Sequence, residues 1–198
     1  MLKTRDYTLA GKDGGLPIRL TELPALCADR IARRLLSDAD ADLDGGIVAL
    51  AYQQLRAVRA LGENASIALM GFVRGDVLDT PGGAPIYPLN VKRHIRDWRN
   101  VERLQNMALL LHVDFMVGRK QMELPVRMQA ASLLADSGQR VAYCSPAISA
   151  VINSRYATYV ELETVLGTED VFNLAESINA DSLREWMQAQ TAQTRNKL

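Results

Sequence analysis

The side chains that could carry out chemistry are few: the chain has two histidines, His94 and His112, and two cysteines, Cys27 and Cys144. His112 lies on a strongly apolar segment, three residues before Phe115, and this setting is typical of a core histidine whose nitrogens are hydrogen-bonded. Neither cysteine has the polar, glycine-rich surroundings that activate a thiolate nucleophile. We therefore expect two buried free thiols, with one disulfide as the alternative that two cysteines allow.

An acidic run at residues 38–44 is the one dense cluster of carboxylates. Aspartates at alternate positions followed by glycine are typical of a calcium-binding EF-hand loop. No glutamate stands at the closing position of such a loop, however, and Gly45 and Gly46 lead directly into an apolar segment. The pattern favours a solvated linker whose carboxylates cap the next helix over a calcium site.

Motifs of the common enzyme and nucleotide-binding classes do not occur in the sequence. It has no Gly-x-Ser-x-Gly elbow, no His-Glu-x-x-His zinc motif, no phosphate-binding loop and no dinucleotide fingerprint. A tight turn explains the glycine-rich residues 11–15 without a ligand. We therefore assign no catalytic, cofactor-binding or metal-binding residue and expect a protein that binds other proteins, with a small enzyme of unrecognised site as a less favoured alternative.

The composition is that of a packed globular chain. Hydrophobic residues make up 48% of it, and 23 basic residues balance 23 acidic ones, which gives a formal net charge of zero. We expect no nucleic-acid binding because there is no basic excess to neutralise phosphates, whereas weak self-repulsion favours self-association. No apolar run approaches the ~20 residues of a membrane helix, and the N-terminus lacks the apolar stretch of a signal peptide. These features predict a cytoplasmic location and no membrane contact.

The N-terminal segment predicts a β-hairpin over residues 8–20. Glycines at the centre of this segment supply the positive φ values of a tight turn. In the second strand Leu16, Ile18 and Leu20 alternate with Arg19, so the three apolar side chains point to one face. Pro17 has no amide hydrogen, which predicts that this strand lies at the edge of its sheet.

The rest of the chain is dominated by helical periodicity. Apolar residues recur every three or four positions in a first segment that begins at Thr21. The same spacing recurs in six further segments, at about residues 47–61, 65–78, 101–117, 126–135, 154–166 and 168–192. Residues 79–88 are rich in proline and glycine and predict a loop, and residues 141–152 fit no single state. We therefore predict a mainly α fold, a helical bundle-like domain with a short N-terminal β-hairpin, divided into a body of residues 1–153 and a C-terminal helical segment of residues 154–198.

Three stretches together resemble the tail assembly chaperone family of long-tailed bacteriophages. The first stretch, residues 9–25 with 28–36, contains the hairpin and a Thr-Glu-Leu-Pro-Ala step. The second, residues 95–98 with Leu104 and 110–115, contains a helix that ends in Leu-His-Val-Asp-Phe. The third, residues 159–176, contains the motifs Leu-Glu-Thr-Val and Glu-Asp. The family's C-terminal segment is often made by a translational frameshift, whereas here all three stretches lie on one chain. Ile31 stands where an aromatic residue is common in the family.

The resemblance implies a helper of phage or prophage origin that acts in the host cell cytoplasm and is absent from the mature virion. Its implied partners are the tape measure protein, held by the N-terminal body, and the tail tube protein, recruited by the C-terminal segment. The candidate protein-binding residues are Leu16, Ile18, Leu20, Tyr159, Leu162, Val165 and Phe172. The alternative is a structural virion component such as a tail terminator or connector subunit. Whether residues 154–198 form a semi-independent unit or complete one shared core is left open by the sequence.

Overall fold

A computed structural model describes residues 1–38, 46–57, 70–120, 125 and 143–195. Four antiparallel strands form one sheet in the order β1 (Thr4–Thr8), β2 (Pro17–Glu22), β3 (Val73–Leu78) and β4 (Pro85–Pro88). Within the described residues there are seven α-helices: α1 (Ala25–Asp38), α2 (Gly46–Ala57), α3 (Val91–His94), α4 (Trp98–Val113), α5 (Pro146–Asn153), α6 (Tyr159–Thr164) and α7 (Thr168–Arg195). The fold is therefore mixed α/β.

The mainly α prediction was wrong because two segments that were not predicted as strands belong to the sheet. β3 occupies the end of the predicted helix at residues 65–78, and β4 occupies the end of the predicted loop at residues 79–88. Val73 and Val77 are four residues apart, which matches a helix, but the two residues belong to β3, where Val77 pairs with Ile18 of β2. Gly75 allows Leu89 to approach closely, since a Cβ at this position would lie 3.1 Å from the Cβ of Leu89. β-Branched residues pack well on a half-buried sheet, and this long-range pairing overrides the local periodicity.

The prediction that the second strand lies at a sheet edge was also wrong. β2 lies between β1 and β3, and Ile18 and Leu20 are fully buried. Pro17 pairs with Thr8 of β1, whereas the pairing with β3 begins one residue later, at Ile18. Because proline occupies the first position of the strand, its missing amide hydrogen removes no bond from the β2–β3 ladder.

The predicted hairpin is present, with a longer connection than a two-residue turn. Gly11–Asp13 form a 3-10 turn, and Gly14 follows with a φ of 61°. The amide of Leu9 donates to the carbonyl of Leu16 at 2.8 Å and closes the loop. The strand β2 extends to Glu22, so the first helix begins at Ala25 rather than after Thr21.

The remaining helix predictions fall partly inside the described residues. α4 begins at Trp98, three residues before the predicted start, because the Asp97 side chain accepts the amide hydrogen of Arg99 at 3.1 Å and caps it. α5 falls in the segment that fitted no single state and begins with Pro146, a residue that the first turn of a helix tolerates. The calcium alternative at residues 39–44, the predicted helix at 126–135 and residues 58–69 lie outside the described residues.

The core consists of three clusters of buried side chains. The first joins α1, α2 and α4, the second packs α4 on the sheet, and the third joins α1, α5, α6 and α7. In the third cluster Ala25 and Leu26 pack with Leu162 and Val171, so the C-terminal segment completes a core that begins in α1. These contacts favour a shared core; the boundary after Asn153 stays a prediction.

Candidate functional site

A buried polar cluster lies where β2, α4 and α7 meet. It contains Glu22, His112 and Thr168, whose side chains belong to residues that are 1%, 0% and 4% exposed. Nε2 of His112 lies 2.8 Å from the carbonyl oxygen of Phe72, and because a carbonyl can only accept, Nε2 carries the proton. Nδ1 therefore accepts the hydroxyl hydrogen of Thr168 at 3.1 Å. The sequence-based expectation that His112 is a hydrogen-bonded core histidine is confirmed.

Glu22 completes this cluster as a carboxyl group whose pKa is raised to about 7. Its Oε1 accepts the amide hydrogen of Lys3 at 3.1 Å, and its Oε2 lies 3.6 Å from Nδ1 of His112 without a hydrogen-bond partner in the described part of the chain. Burial raises the pKa of Glu22 to about 7 and lowers the pKa of His112 to about 4. Between those pH values both groups are uncharged, so their contact is not an ion pair.

The hydroxyl of Thr168 and the imidazole of His112 have the spacing of a nucleophile and its general base. Two features oppose that chemistry. An imidazole with a pKa of about 4 is a weak base near neutral pH, and Glu22 lies beside the nitrogen that already faces Thr168, whereas an orienting carboxylate would bind the other nitrogen. The cluster acts as a polar junction that fixes the start of α7 against the sheet and α4.

A cavity of about 130 Å³ lies next to this junction, between α1, α2, α5 and α7. Its walls are mainly apolar, but they include the carboxyl group of Asp29, which is 1% exposed and accepts the amide hydrogen of Ser145 at 3.0 Å. Burial raises the pKa of Asp29. Gly46, with a φ of 48°, lies so close that a Cβ would overlap Oδ1 of Asp29. This contact was not predictable from the sequence, because Asp29 and Gly46 come together only through helix packing.

Glu22 and His112 are expected to make the free energy of unfolding depend on pH in opposite directions. The folded pKa of Glu22, about 7, lies above its unfolded value of 4.5, so its contribution is present below pH 4.5 and lost as the pH rises through 7. The folded pKa of His112, about 4, lies below its unfolded value of 6.5, so its contribution is present above pH 6.5 and lost as the pH falls through 4. In the native protein the two effects nearly cancel.

Glu22→Gln removes only the first of these titrations. The free energy of unfolding of the native protein, minus that of this variant, is expected to fall by about 3 kcal/mol from about pH 4 to about pH 8. Urea denaturation across this range measures it, with Glu102→Gln as a control for the loss of one carboxylate. A difference that does not change with pH would show that Glu22 is not a proton-binding group of the folded state.

The structure separates the seven predicted protein-binding residues into three groups. Ile18, Leu20 and Leu162 are 0% exposed and belong to the core. Leu16 and Phe172 are half-buried, and the Phe172 ring packs on the Phe115 ring with centroids 5.3 Å apart. Only Tyr159 and Val165 are exposed, at 40% and 53%.

Tyr159 is the first residue of α6 and Val165 directly follows its last residue. Val160, also on α6, is 65% exposed, and the sequence analysis did not single it out. We refer to Tyr159, Val160 and Val165 as the α6 surface. Buried Leu162 holds this short helix against the core, and Thr158 and Glu161 form a capping box at its start. The α6 surface therefore presents three apolar side chains on a fixed backbone.

Three contacts join α6 and the residues that follow it to α1. The guanidinium of Arg30 lies 5.4 Å from the ring centroid of Tyr159 and pairs with the Glu163 carboxylate at 2.8 Å. The amide of Ala25 donates to the carbonyl of Leu166 at 2.8 Å. A partner bound at α6 would thus be held in a fixed orientation relative to the N-terminal body.

The chain matches no protein-family model, no curated protein and no solved structure. Within the described ranges, no group of three or more His, Cys, Asp or Glu side chains is placed to hold a metal ion. None of the described helices combines the length and the apolar character that crossing a bilayer requires. The resemblance to tail assembly chaperones therefore stays a prediction that rests on the three sequence stretches.

Proposed function

We propose that this protein is a phage tail assembly chaperone that binds the tape measure protein and recruits the tail tube protein in the host cell cytoplasm. The observation that carries the proposal is the α6 surface. Exposed apolar side chains on a folded protein are candidates for protein binding, and these three lie close together in the sequence, in the segment that resembles the tube-recruiting part of the family. The balanced net charge is compatible with reversible association.

The proposal assigns the two partners to different parts of the chain. The tape measure protein binds the body of residues 1–153, and the tail tube protein binds the α6 surface. Support for a coordinated role comes from the attachment of α6 to α1, since buried Leu162 packs with Ala25 and Leu26 in the third core cluster. A tube subunit held in this way would be presented at a constant distance from the bound tape measure.

The double variant Val160→Asp with Val165→Asp tests this assignment. We expect its affinity for the tail tube protein of the same phage to fall by at least about tenfold, because each change places a charge in an apolar contact. Its affinity for the tape measure protein is expected to stay unchanged. Isothermal titration calorimetry with each purified partner measures both.

Val117→Asp is the matched control, because Val117 is 85% exposed and lies far along the chain from α6. It is expected to bind the tail tube protein as the native protein does. Unchanged tube binding by the double variant would contradict a role of the α6 surface. Failure of the native protein to bind either partner would contradict the proposed function as a whole.

A further inference from the structure

The cavity between α1, α2, α5 and α7 is large enough for a small organic molecule. Its volume is about 130 Å³, whereas a single water molecule requires only about 10–15 Å³ and an apolar cavity of about 150 Å³ binds benzene. Pockets for drug-sized ligands and cofactors begin at about 300 Å³. The volume therefore favours a molecule about as large as one benzene ring. We call this space the interhelical cavity.

Most walls of the interhelical cavity are apolar side chains. They include Ile47 of α2, Ile148 of α5 and Val171 of α7, which are at most 4% exposed. Val48 and Phe172 also belong to the walls and are half-buried, so the cavity comes nearest to solvent beside these two residues. The body of a complementary ligand is therefore apolar, because burial of apolar surface is what such walls reward.

Asp29 is the single charged residue among the cavity walls that the structure describes. It is 1% exposed, and both the amide and the hydroxyl of Ser145 donate to its carboxyl group. The two oxygens of a carboxylate offer about four acceptor positions. Gly46 has no side chain to cover Oδ1, and a Cβ there would overlap this oxygen. Asp29 can therefore accept a further hydrogen bond from a ligand.

The other polar side chains of the described walls use their hydrogens within the protein. The hydroxyl hydrogen of Ser145 goes to Asp29, and that of Thr168 goes to Nδ1 of His112 at 3.1 Å. What remains on these side chains are acceptor lone pairs. A complementary ligand must therefore supply a hydrogen-bond donor.

The surroundings of Asp29 favour an uncharged donor over an ion. Four helices contribute residues of their first turn to the walls: Ala25 in α1, Ile47 in α2, Ala147 in α5 and Thr168 in α7. A helix N-terminus carries a partial positive charge, which disfavours a cation nearby. Arg33, one turn along α1, adds a full positive charge that acts on the same carboxyl group. An anion, in turn, would be repelled by the buried carboxylate of Asp29.

We propose that the interhelical cavity binds a small uncharged organic molecule, about the size of a benzene ring, that carries one hydroxyl group. Its apolar body would pack on the aliphatic walls, and its hydroxyl hydrogen would go to Asp29. This is a binding function separate from the one proposed for the α6 surface, none of whose residues is among the described cavity walls.

Phenol and toluene test the proposal, because they are nearly equal in size and differ in the hydroxyl group. The full-length protein is expected to bind phenol with a Kd below about 1 mM, and toluene about tenfold more weakly, since it cannot donate to the buried carboxylate. Titration followed by NMR of isotope-labelled isoleucine methyl groups measures both affinities. The signals of Ile47 and Ile148 are expected to shift, whereas that of Ile18, which is buried in the sheet core, is expected to stay in place.

Two charged analogues test the charge preference of the interhelical cavity. Benzylamine is a cation and benzoate an anion at neutral pH, and each is expected to bind at least about tenfold more weakly than phenol. Tighter binding of either one than of phenol would overturn the proposal. Equal affinities for phenol and toluene, or no shift of the wall signals with phenol, would also overturn it.

A matched pair of variants locates the binding. Ala147→Leu places a larger side chain in the walls and is expected to weaken phenol binding at least about tenfold without lowering the melting temperature, because it fills existing space. Ala150→Leu adds the same side chain at an exposed position of α5 and is expected to bind phenol as the native protein does. Equal phenol affinities of the two variants would place the ligand elsewhere and contradict the proposal.

Asp29→Asn is expected to reduce the affinity for phenol to that for toluene, because the amide presents a donor where the carboxylate presented an acceptor. The matched alanine variants keep the test decisive if this variant does not fold. Val160→Asp with Val165→Asp is expected to leave phenol binding unchanged. Failure of the cavity proposal is therefore distinguishable from failure of the proposed function.

Discussion

Removal of residues 154–198 is expected to leave an insoluble fragment without a cooperative melting transition. The third core cluster would lose Ala157, Leu162 and Val171, and the half-buried Leu174 and Ile178 that pack against it. Loss of each large apolar side chain costs about 2–5 kcal/mol, whereas a whole domain is stable by only about 5–15 kcal/mol. Several such losses together exceed the total. Solubility on expression and differential scanning calorimetry of the truncated chain measure the effect.

A shorter truncation provides the control. Removal of the residues after Gln190 deletes an end of α7 whose described side chains are exposed, so the melting temperature is expected to stay within a few degrees of the native value. A soluble 1–153 fragment with a cooperative melt would contradict the shared core. It would instead support a semi-independent C-terminal unit.

Gly167→Ala is expected to lower the free energy of unfolding by about 3 kcal/mol, through overpacking and the loss of a buried hydrogen bond. A Cβ at this position would overlap Oε1 of Glu22 and lie 2.8 Å from its carboxyl carbon. That oxygen accepts the amide hydrogen of Lys3, and Glu22 is 1% exposed, so the carboxyl group cannot move aside without breaking this bond. Urea denaturation of the variant measures the loss.

Gly71→Ala is the matched control for this substitution. A Cβ at Gly71 would meet no atom within 4 Å, and the residue is exposed. Its free energy of unfolding is expected to stay within about 0.5 kcal/mol of the native value, as is usual at such surface positions. If Gly167→Ala were equally harmless, the packing of Glu22 against the start of α7 would not be tight.

The sequence predicted those elements whose local signals agree with their long-range contacts. α4 and α7 were found because their apolar spacing matches the faces that they bury, and the hairpin was found from its glycines. β3 was missed because Val73 and Val77 fit a helix as well as a strand, and only their pairing to β2 decides between the two. β4 was missed because Pro85 and Pro88 are typical of a loop.

The candidate sites show the same division between local and long-range information. Burial of His112 was predictable from its apolar neighbours, but its partners Glu22 and Thr168 come from distant elements and were not. Val160 was missed on α6, while Leu162, which is buried, was named as a candidate protein-binding residue. A helix of six residues gives too few positions for its periodicity to distinguish the buried from the exposed side.

Quantification of this chain in assembly intermediates and in finished phage particles tests the proposed function most directly. A tail assembly chaperone acts on the tape measure protein before the tube is complete and then leaves. Mass spectrometry of intermediates isolated through the tape measure protein is therefore expected to find this chain bound in them, and that of purified particles is expected not to find it. Retention of the chain in finished particles, in a fixed ratio to the tape measure protein, would contradict the account and identify a structural tail component instead.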